Sequence, residues 1–398
     1  MQAVGAASGN LSVGRGSLDG RSVHAAFIEN RIASGSIGKL EAKKLGSLFK
    51  IAALAKAPVV LFLDSAGARV SEGLVALGAF RALFREGVAA AAAGAPIAVA
   101  IGRNCYGGAS MLAHLAPRRL FSPTSQLAMS GPSILAQAAG VSALDDMFRA
   151  IAEATISAPA RAKANEANHV WAPDIDLAAW LRGALAPVSQ PWSAFYARHK
   201  ALAARIQDAP PAQAPAPARR KDLDKLFPDG YGANESSGIL SGEAKRRAAT
   251  APMIGLVGNS PLSTVRAWRF ADALWELAKV PTPRLELVLD CESHAPRIED
   301  EKIVLTEFIV DVGLALGAIA ARGTFIDLTI LGRAGGGVYV AVAAFASRIC
   351  VIYGADIQVL PGSAIASILG ENREAVGSID EYRSAKVADE ELRLGIVP

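Results

Sequence analysis

The segment VVLFLDSAGARVSE (59–72) decides the fold, because an apolar run stops at Asp64 and gives way to small residues and Arg69. A continuous apolar run of this length is typical of a parallel strand that is covered on both faces. A helical pattern follows, then a second apolar run, APIAVAIG (95–102), and then the pair Gly107–Gly108. The stretch therefore predicts a strand–helix–strand–helix unit in which the glycine pair opens the second helix.

The same order of features returns in the second half of the chain. RLELVLDCESHAPRIED (284–300) is an apolar run that ends in Asp290 and leads into a small polar turn. The next apolar run precedes three glycines, and Gly337 follows Asp290 by 47 residues, against 44 residues from Asp64 to Gly108. We therefore expect a tandem duplication of an α/β domain with mostly parallel sheets and flanking helices.

A proline-rich stretch, APPAQAPAPARRK (209–221), separates the two copies and predicts an extended connection. With 398 residues, the chain is long enough for two domains of ordinary size. The predicted organisation is an N-terminal domain (1–208), a Pro/Ala-rich linker (209–235) and a C-terminal domain (236–398).

Composition narrows the classes of protein to consider. Hydrophobic residues make up 52% of the chain, and the net charge of +4 is spread along it rather than clustered as in nucleic-acid-binding proteins. The three cysteines lie far apart, so neither a disulfide framework nor a cysteine-based metal site is expected. The N-terminus does not resemble a signal peptide, and no apolar stretch suits a membrane span. We expect a cytoplasmic protein that binds neither nucleic acid nor membrane.

A glycine pair between a strand and a helix favours a bound anion, because helix-terminal N–H groups point outward and glycine lets a ligand approach closely. The phosphate-loop signatures GxxxxGK[ST] and GxGxxG are absent at these positions. A carboxylate, an oxyanion formed during reaction, and close packing without a ligand are the alternatives. The turns after Asp64 and Asp290 could each supply a second N–H donor for an oxyanion.

Six segments carry a resemblance to a known family. LDSAGARVSEG (63–73) and IGRNCYGGASMLAHLAPRRLFSPTSQLAMSGPSIL (101–135) resemble the β subunit of biotin-independent malonate decarboxylases. IGLVGNSPLSTVRAWRFADAL (254–274) and VLDCESHAPRIEDEKIVLTEFIVDVGLAL (288–316) resemble the γ subunit of the same enzymes. FIENRIASGSIGKLEAKKL (27–45) is also similar to the β subunit, and LGRAGGGVYVAVAA (331–344) is similar to the γ subunit. The chain thus resembles a fusion of both subunits and, more broadly, the carboxyltransferase branch of the crotonase superfamily.

The resemblance covers most of 20–150 and 250–370 and implies two tandem crotonase-like (ClpP/crotonase) domains. It implies that one glycine pair and its turn, Ser65–Gly67 or Glu292–Ser293, hold a thioester carbonyl while the other pair orients a carboxylate. The residues assigned to catalysis on this basis are Gly107, Gly108, Gly336, Gly337, Ala66, Gly67, Ser293 and His294. Those assigned to substrate binding are Arg69, Arg297, Tyr106 and Ser110.

Several of these side chains have a second interpretation. His294 could donate a proton to an enolate carbon or be an ordinary exposed loop histidine. Arg69 and Arg297 could clamp a carboxylate or pair with Asp64 and Asp290, which end the two apolar runs.

The activity implied by the resemblance is decarboxylation of a malonyl-type thioester to the acetyl-type thioester through an enolate. The substrate would carry CoA or the phosphopantetheine arm of an acyl carrier protein, and neither metal nor biotin would be required. Other decarboxylase subunits and further copies of this chain are the expected partners. The alternatives are a biotin-dependent carboxyltransferase component that acts on an acyl-CoA, and a non-catalytic crotonase-like subunit.

Overall fold

The computed structural model describes residues 2–3, 9–141, 144–209, 214–246, 249–360 and 377–394. The chain divides into two compact units. Unit 1 comprises Met1–Glu72, Ala82–Arg198 and Pro296–Val310, and unit 2 comprises Gly73–Arg81, His199–Ala295 and Asp311–Pro398. Each unit therefore collects segments from both halves of the sequence, and the predicted domain boundaries stay a prediction.

Unit 1 contains one eight-stranded sheet in the order β1-β2-β3-β4-β5-β6-β8, with β7 paired to β5. Its strands are β1 (Gln2–Ala3), β2 (Leu11–Leu18), β3 (Arg21–Ile28), β4 (Val59–Ser65), β5 (Ile97–Tyr106), β6 (Arg118–Phe121), β7 (Gln126–Ala128) and β8 (Asn168–Val170). The strands β1 to β3 pair antiparallel, and every pair from β3 onward is parallel.

Unit 2 contains a second eight-stranded sheet in the order β16-β14-β13-β12-β11-β10-β9, with β15 paired to β13. Its strands are β9 (Tyr231–Ser236), β10 (Ile239–Arg246), β11 (Ala249–Leu256), β12 (Arg284–Cys291), β13 (Phe325–Gly335), β14 (Arg348–Ile352), β15 (Asp356–Gln358) and β16 (Glu390–Leu392). An antiparallel start, β9 to β11, again precedes parallel pairs. The two sheets therefore share one topology.

The central strands are covered on both faces, which explains their continuous apolar sequences. Val59 to Leu61 are at most 4% exposed, and Leu285 to Leu289 are at most 1% exposed. The predicted α/β class, with mostly parallel sheets and flanking helices, is confirmed.

Helices connect the strands in both units, and polar side chains cap several of them. The Asp145 carboxylate accepts the Phe148 N–H at one helix start, and the Ser263 hydroxyl accepts the Arg266 N–H at another. Among the described residues, no helix is both long and apolar enough to cross a membrane. The helices are α1 (Lys39–Ala55), α2 (Leu74–Ala92), α3 (Gly108–Ala113), α4 (Pro132–Ala138), α5 (Asp146–Ile156), α6 (Ala158–Ala164), α7 (Leu177–Ala184), α8 (Pro191–Leu202), α9 (Arg220–Leu226), α10 (Thr264–Lys279), α11 (Ile298–Lys302), α12 (Leu305–Ala320), α13 (Gly336–Ala343) and α14 (Ile379–Ser384).

Regular structure also occupies part of the segment 209–235, for which composition predicts a linker. Both α9 and β9 lie there, and β9 pairs with β10. Leu223, Leu226 and Phe227 are at most 4% exposed. Apolar residues at this spacing line one face of a helix and are buried together. Within the described part of the segment, residues 214–219 lie outside any helix or strand.

Candidate active site

In each unit an aspartate stabilises the end of the central strand. The Oδ1 atom of Asp64 accepts a hydrogen bond from the N–H of Asn104 at 3.1 Å. The Oδ1 atom of Asp290 accepts one from the N–H of Arg333 at 3.3 Å. Both aspartates lie where the register of the parallel pair shifts. A bulge of this kind redirects a strand end, so the aspartates fix where the following turn begins.

The turn Ser65–Gly67 is held by the loop that precedes α1. The Ser65 hydroxyl donates to the Gly35 carbonyl oxygen at 2.7 Å, and the Ala66 N–H donates to the Ser34 carbonyl oxygen at 2.9 Å. The Gly67 N–H donates to the Ser65 hydroxyl oxygen at 3.1 Å. The N–H groups of Ala66 and Gly67 are thus engaged within the chain, and the geometry does not favour this turn as a second oxyanion donor.

The first glycine pair and this turn meet through their backbones. Gly107 has a φ of +54° and Gly67 a φ of +99°, and both conformations favour glycine. A Cβ atom at Gly67 would lie 2.7 Å from the carbonyl oxygen of Tyr106 and 3.5 Å from the Cα atom of Gly107. A larger residue at Gly67 would therefore force the turn and the glycine pair apart.

The two N–H groups of the pair differ in their bonding. The Gly107 N–H donates to the carbonyl oxygens of Ala128, at 3.2 Å, and Met129, at 3.1 Å. Gly108 is the first residue of α3, a position at which the N–H has no acceptor within the helix. The geometry therefore favours the Gly108 N–H over that of Gly107 as a donor to a ligand oxygen.

The side chains next to the first pair form hydrogen bonds within unit 1. The Tyr106 hydroxyl donates to the Asn104 side-chain oxygen at 3.1 Å, and burial raises the pKa of this phenol. The Ser110 side chain is fully buried, donates to the Gly107 carbonyl oxygen at 2.7 Å and lies 3.1 Å from the Thr306 hydroxyl. Ser110 therefore stabilises the glycine turn through this hydrogen bond. A buried hydroxyl that is bonded in this way does not favour the predicted contact with substrate.

The second glycine pair lies beside polar side chains. Gly336 has a φ of +52°, and a Cβ atom there would lie 2.8 Å from the Ser293 hydroxyl oxygen. This hydroxyl lies 3.2 Å from the Nδ1 atom of His294, and both residues are at most 8% exposed. The alternative of an exposed loop histidine is therefore wrong. The structure places Ser293 and His294 at the Gly336–Gly337 pair, and their chemical roles stay a prediction.

Arg69 is bound to its own unit through all three guanidinium nitrogens. It donates to both the hydroxyl and the carbonyl oxygen of Ser36, at 3.2 and 2.9 Å. It also forms ion pairs with Glu41, at 2.9 Å, and Glu72, at 3.0 Å. This arrangement fixes the segment that follows the first turn and does not favour the predicted carboxylate clamp.

The two other charged residues near the turns also pair locally. Asp64 lies 3.5 Å from Arg103, so the alternative prediction of an Arg69–Asp64 ion pair is wrong. Arg297 pairs with Asp300 at 2.7 Å, three residues further along. This contact lies at the start of α11, and substrate binding by Arg297 stays a prediction.

A buried ion pair lies behind the first glycine pair, and no sequence motif points to it. Glu301 and Arg161 are fully buried with 3.0 Å between their charged groups. Glu301 also accepts the Ser130 N–H at 2.9 Å. Burial raises the pKa of Glu301, and the Arg161 guanidinium opposes that shift. Glu301 belongs to the charged run RIEDEK (297–302), a pattern typical of a solvated surface, so the sequence hides its burial.

Solved structures that align with this chain include two with a bound substrate or related molecule. A Pseudomonas malonate decarboxylase hetero-tetramer in complex with malonate has a TM-score of 0.44 at 24% identity, over 52% of this chain and 77% of that chain. A transcarboxylase 12S hexamer with methylmalonyl-coenzyme A bound has a TM-score of 0.40 at 18% identity, over 96% of this chain and 79% of that chain.

Among curated proteins, the chain is similar to the alpha subunit of methylmalonyl-CoA decarboxylase from Veillonella parvula. The identity is 31% over 146 residues, which is 36% of this chain and 28% of the relative. The methylmalonyl-CoA carboxyltransferase 12S subunit of Propionibacterium freudenreichii subsp. shermanii is 31% identical over 127 residues, or 32% of this chain and 24% of the relative. The chain thus matches about a quarter of the length of these relatives.

The family comparison assigns a match to one part of the chain. The family model described as Carboxyl transferase domain matches residues 2–149. This range includes Asp64, the turn Ser65–Gly67 and the pair Gly107–Gly108. The likeness of this chain to carboxyl transferase domains therefore includes the first turn and the first glycine pair.

Proposed function

We propose that this chain removes the carboxyl group of a malonyl-type acyl-CoA thioester and that the Gly108 N–H binds the thioester oxygen during the reaction. The observation that carries the proposal is the left-handed Gly107, whose own N–H is held by Ala128 and Met129 while the next N–H begins α3. Backbone donors fixed in this way stabilise negative charge without reorganising as it develops.

The proposed chemistry breaks one carbon–carbon bond. CO2 leaves, the electron pair of that bond moves into the thioester as an enolate, and the negative charge resides largely on the thioester oxygen. A proton then adds to the α-carbon and gives the acetyl-type thioester. The enolate oxygen carries more charge than the substrate carbonyl, so a fixed N–H favours the transition state over the bound substrate.

The second glycine pair, in this proposal, binds an anionic group such as a carboxylate. Gly337 corresponds to Gly108, and the polar side chains of Ser293 and His294 lie beside the second pair. His294 is the candidate proton donor, because an imidazole is the side chain that most often transfers protons near neutral pH. The proposed decarboxylation requires neither a metal nor biotin.

The curated relatives support CoA as the carrier and also support a second candidate function. Their names contain methylmalonyl-CoA, one as a decarboxylase subunit and one as a carboxyltransferase subunit. The same enolate would serve carboxyl transfer, with carboxybiotin supplied by a partner. Other decarboxylase subunits and further copies of this chain stay proposed partners, which sedimentation with and without such subunits would test.

The experiment measures CO2 release from malonyl-CoA and methylmalonyl-CoA by the wild type and by Gly108→Pro. Proline removes the N–H but suits the first position of a helix, so α3 should form. We expect turnover to fall by about a hundredfold or more. Gly108→Ala is the matched control because it keeps the N–H, and Gly337→Pro applies the same test to the second pair.

Three outcomes separate the alternatives. Unchanged turnover in a folded Gly108→Pro would remove the oxyanion assignment. Turnover that needs an added biotinylated carrier and is blocked by avidin would favour carboxyl transfer over direct decarboxylation. Absence of binding to every acyl-CoA in calorimetry would leave a non-catalytic subunit.

A further inference from the structure

We propose that Glu301 is a positioning residue for the Gly107–Gly108 peptide: together with Arg161, it locks the segment Leu127–Ser130 that holds the Gly107 N–H. This inference rests on the proposed function, because it assigns Glu301 to the same oxyanion donor. All the residues involved lie in unit 1.

The carboxylate of Glu301 reaches the segment directly. Its Oε1 atom accepts the Ser130 N–H at 2.9 Å. Its Oε2 atom lies 3.0 Å from the Arg161 guanidinium, and the Glu301 side chain is fully buried. A carboxylate with these two contacts cannot rotate away without leaving buried donors unsatisfied.

Arg161 binds the same segment at Leu127, three residues before Ser130. Its Nε atom donates to the carbonyl oxygen of Leu127 at 2.7 Å, and its other nitrogens bind the backbone and side chain of Glu301. The ion pair therefore contacts Leu127 and Ser130, the two ends of this four-residue segment. Charge-assisted hydrogen bonds of this kind are stronger than neutral ones and define geometry more tightly.

The locked segment in turn sets the glycine pair. The carbonyl oxygens of Ala128 and Met129 share the Gly107 N–H. Gly107 has a φ of +54° and a ψ of −131°, and these angles determine where the following N–H, that of Gly108, points. Glycine has no side chain to restrict its torsions, so external hydrogen bonds must hold this conformation.

In unit 2, a neutral hydroxyl group bonds to the strand that corresponds to β7. There the corresponding strand is β15, which leads to the residues beside Gly336. The N–H of Ile357 in β15 donates to the Tyr382 hydroxyl at 3.1 Å. Among the described residues, the neutral Tyr382 hydroxyl bonds to the β15 backbone, whereas unit 1 has a buried charge pair beside β7. A buried ion pair often adds little net stability, because taking two charges out of water is costly. The placement of this pair beside the segment that holds the Gly107 N–H therefore favours a positioning role.

The experiment compares Glu301→Gln and Glu301→Asp with Glu307→Gln. Glu301→Gln removes the charge, and Glu301→Asp keeps it but shortens the reach, so the second variant serves if the first fails to fold. Glu307 is the matched control because it is a buried acid on the same stretch, paired with Arg119 at 3.3 Å and bonded to Asn165 at 2.9 Å.

Two readouts are taken on the full chain. The first is the measurement of kcat and KM with malonyl-CoA and methylmalonyl-CoA. We expect both Glu301 variants to lose about tenfold to a hundredfold in kcat with little change in KM. The reason is that a small misplacement of a hydrogen-bond donor weakens binding of the transition state. The second is amide hydrogen exchange of residues 103–112, where we expect the Gly107 N–H to exchange at least about tenfold faster. Glu307→Gln should change neither quantity by more than about threefold.

The two readouts keep the failures apart. A wild type without turnover on either substrate would contradict the proposed function, and the exchange measurement would still decide whether Glu301 holds Gly107. Unchanged exchange at 103–112 in the Glu301 variants overturns the inference. Faster exchange with unchanged kcat also overturns it, as does an equal loss in Glu307→Gln, which would indicate a general cost of removing a buried charge.

Discussion

Asp64 and Asn104 are joined by a hydrogen bond of 3.1 Å, from the backbone N–H of Asn104 to the Asp64 carboxylate. Asp290 and Arg333 repeat this relationship in unit 2 at 3.3 Å. The aspartate that ends each apolar run is therefore a structural element: it bonds to the neighbouring strand where the strand register shifts. Each turn starts from this bond, so its loss should be felt in both stability and turn geometry.

Asp64→Ala should lower the free energy of unfolding by about 1–3 kcal/mol, because the Asn104 N–H loses its acceptor in a partly buried place. Asp64→Asn is the control, since its side-chain oxygen can still accept that hydrogen bond. Urea unfolding of both variants tests the prediction. Equal stability of the two variants would contradict the role of Asp64 as an acceptor for the Asn104 N–H.

Gly67→Ala should destabilise the fold by about 2 kcal/mol, because the residue has a φ of +99° and a new Cβ would lie 2.7 Å from the Tyr106 carbonyl oxygen. Gly46→Ala is the matched control: it lies inside α1, where the nearest atom to a new Cβ is 3.8 Å away. Alanine there should raise stability by about 0.5 kcal/mol. Thermal unfolding of the two variants tests the prediction. Equal shifts in Tm would contradict the close approach of Gly67 to the Tyr106 carbonyl oxygen.

Arg69→Met should lower the free energy of unfolding by about 2 kcal/mol, because Glu41 is 3% exposed and would lose its cationic partner. The KM for an acyl-CoA should stay within about threefold of the wild type, since the guanidinium is occupied within the chain. Arg103→Met, which removes a mostly exposed partner of Asp64, should cost less than about 0.5 kcal/mol. A stable Arg69→Met variant with a much higher KM would instead support the prediction that Arg69 binds a carboxylate of the substrate.

The sequence predicted the central strands, the glycine pairs and the repetition because these depend on local patterns. Strands buried on both faces are mainly apolar, as most of β4 and β12 is, and a left-handed position such as Gly107 or Gly336 favours glycine. The helical spacing of Leu223, Leu226 and Phe227 in and after α9 is also visible in the sequence. The prolines before it favour an extended linker, so this helix was not predicted.

The bonding of the candidate site could not be predicted, because it depends on partners far away in the chain. The Gly107 N–H is bound by Ala128 and Met129, and Arg69 turns to Ser36 and two glutamates. Glu301 reaches Ser130 across 171 residues of sequence. A long charged side chain can point in many directions, so only the folded structure shows which donor or acceptor it meets.

His199 provides a prediction of pH dependence. Its Nδ1 atom lies 2.6 Å from Asp311 and its Nε2 atom 3.0 Å from Asp272, and its ring stacks on Trp268. Burial alone would lower the pKa of His199, but the hydrogen bonds and charges of the two aspartates outweigh it and raise the pKa above 6.5. Protonated His199 therefore stabilises the fold below about pH 6.5, and this stabilisation is lost as the pH rises through the folded pKa.

His199→Gln should lower the free energy of unfolding by about 3 kcal/mol near pH 6, because two carboxylates lose their shared cation. The difference from the wild type should shrink as the pH is raised toward about 9. Lys200→Met is the matched control: Lys200 also contacts Asp272, at 3.0 Å, but an ordinary lysine keeps its charge throughout this range. Urea unfolding at several pH values measures both differences. A His199→Gln difference that does not change with pH would contradict the prediction that His199 loses its charge in the folded protein over this range.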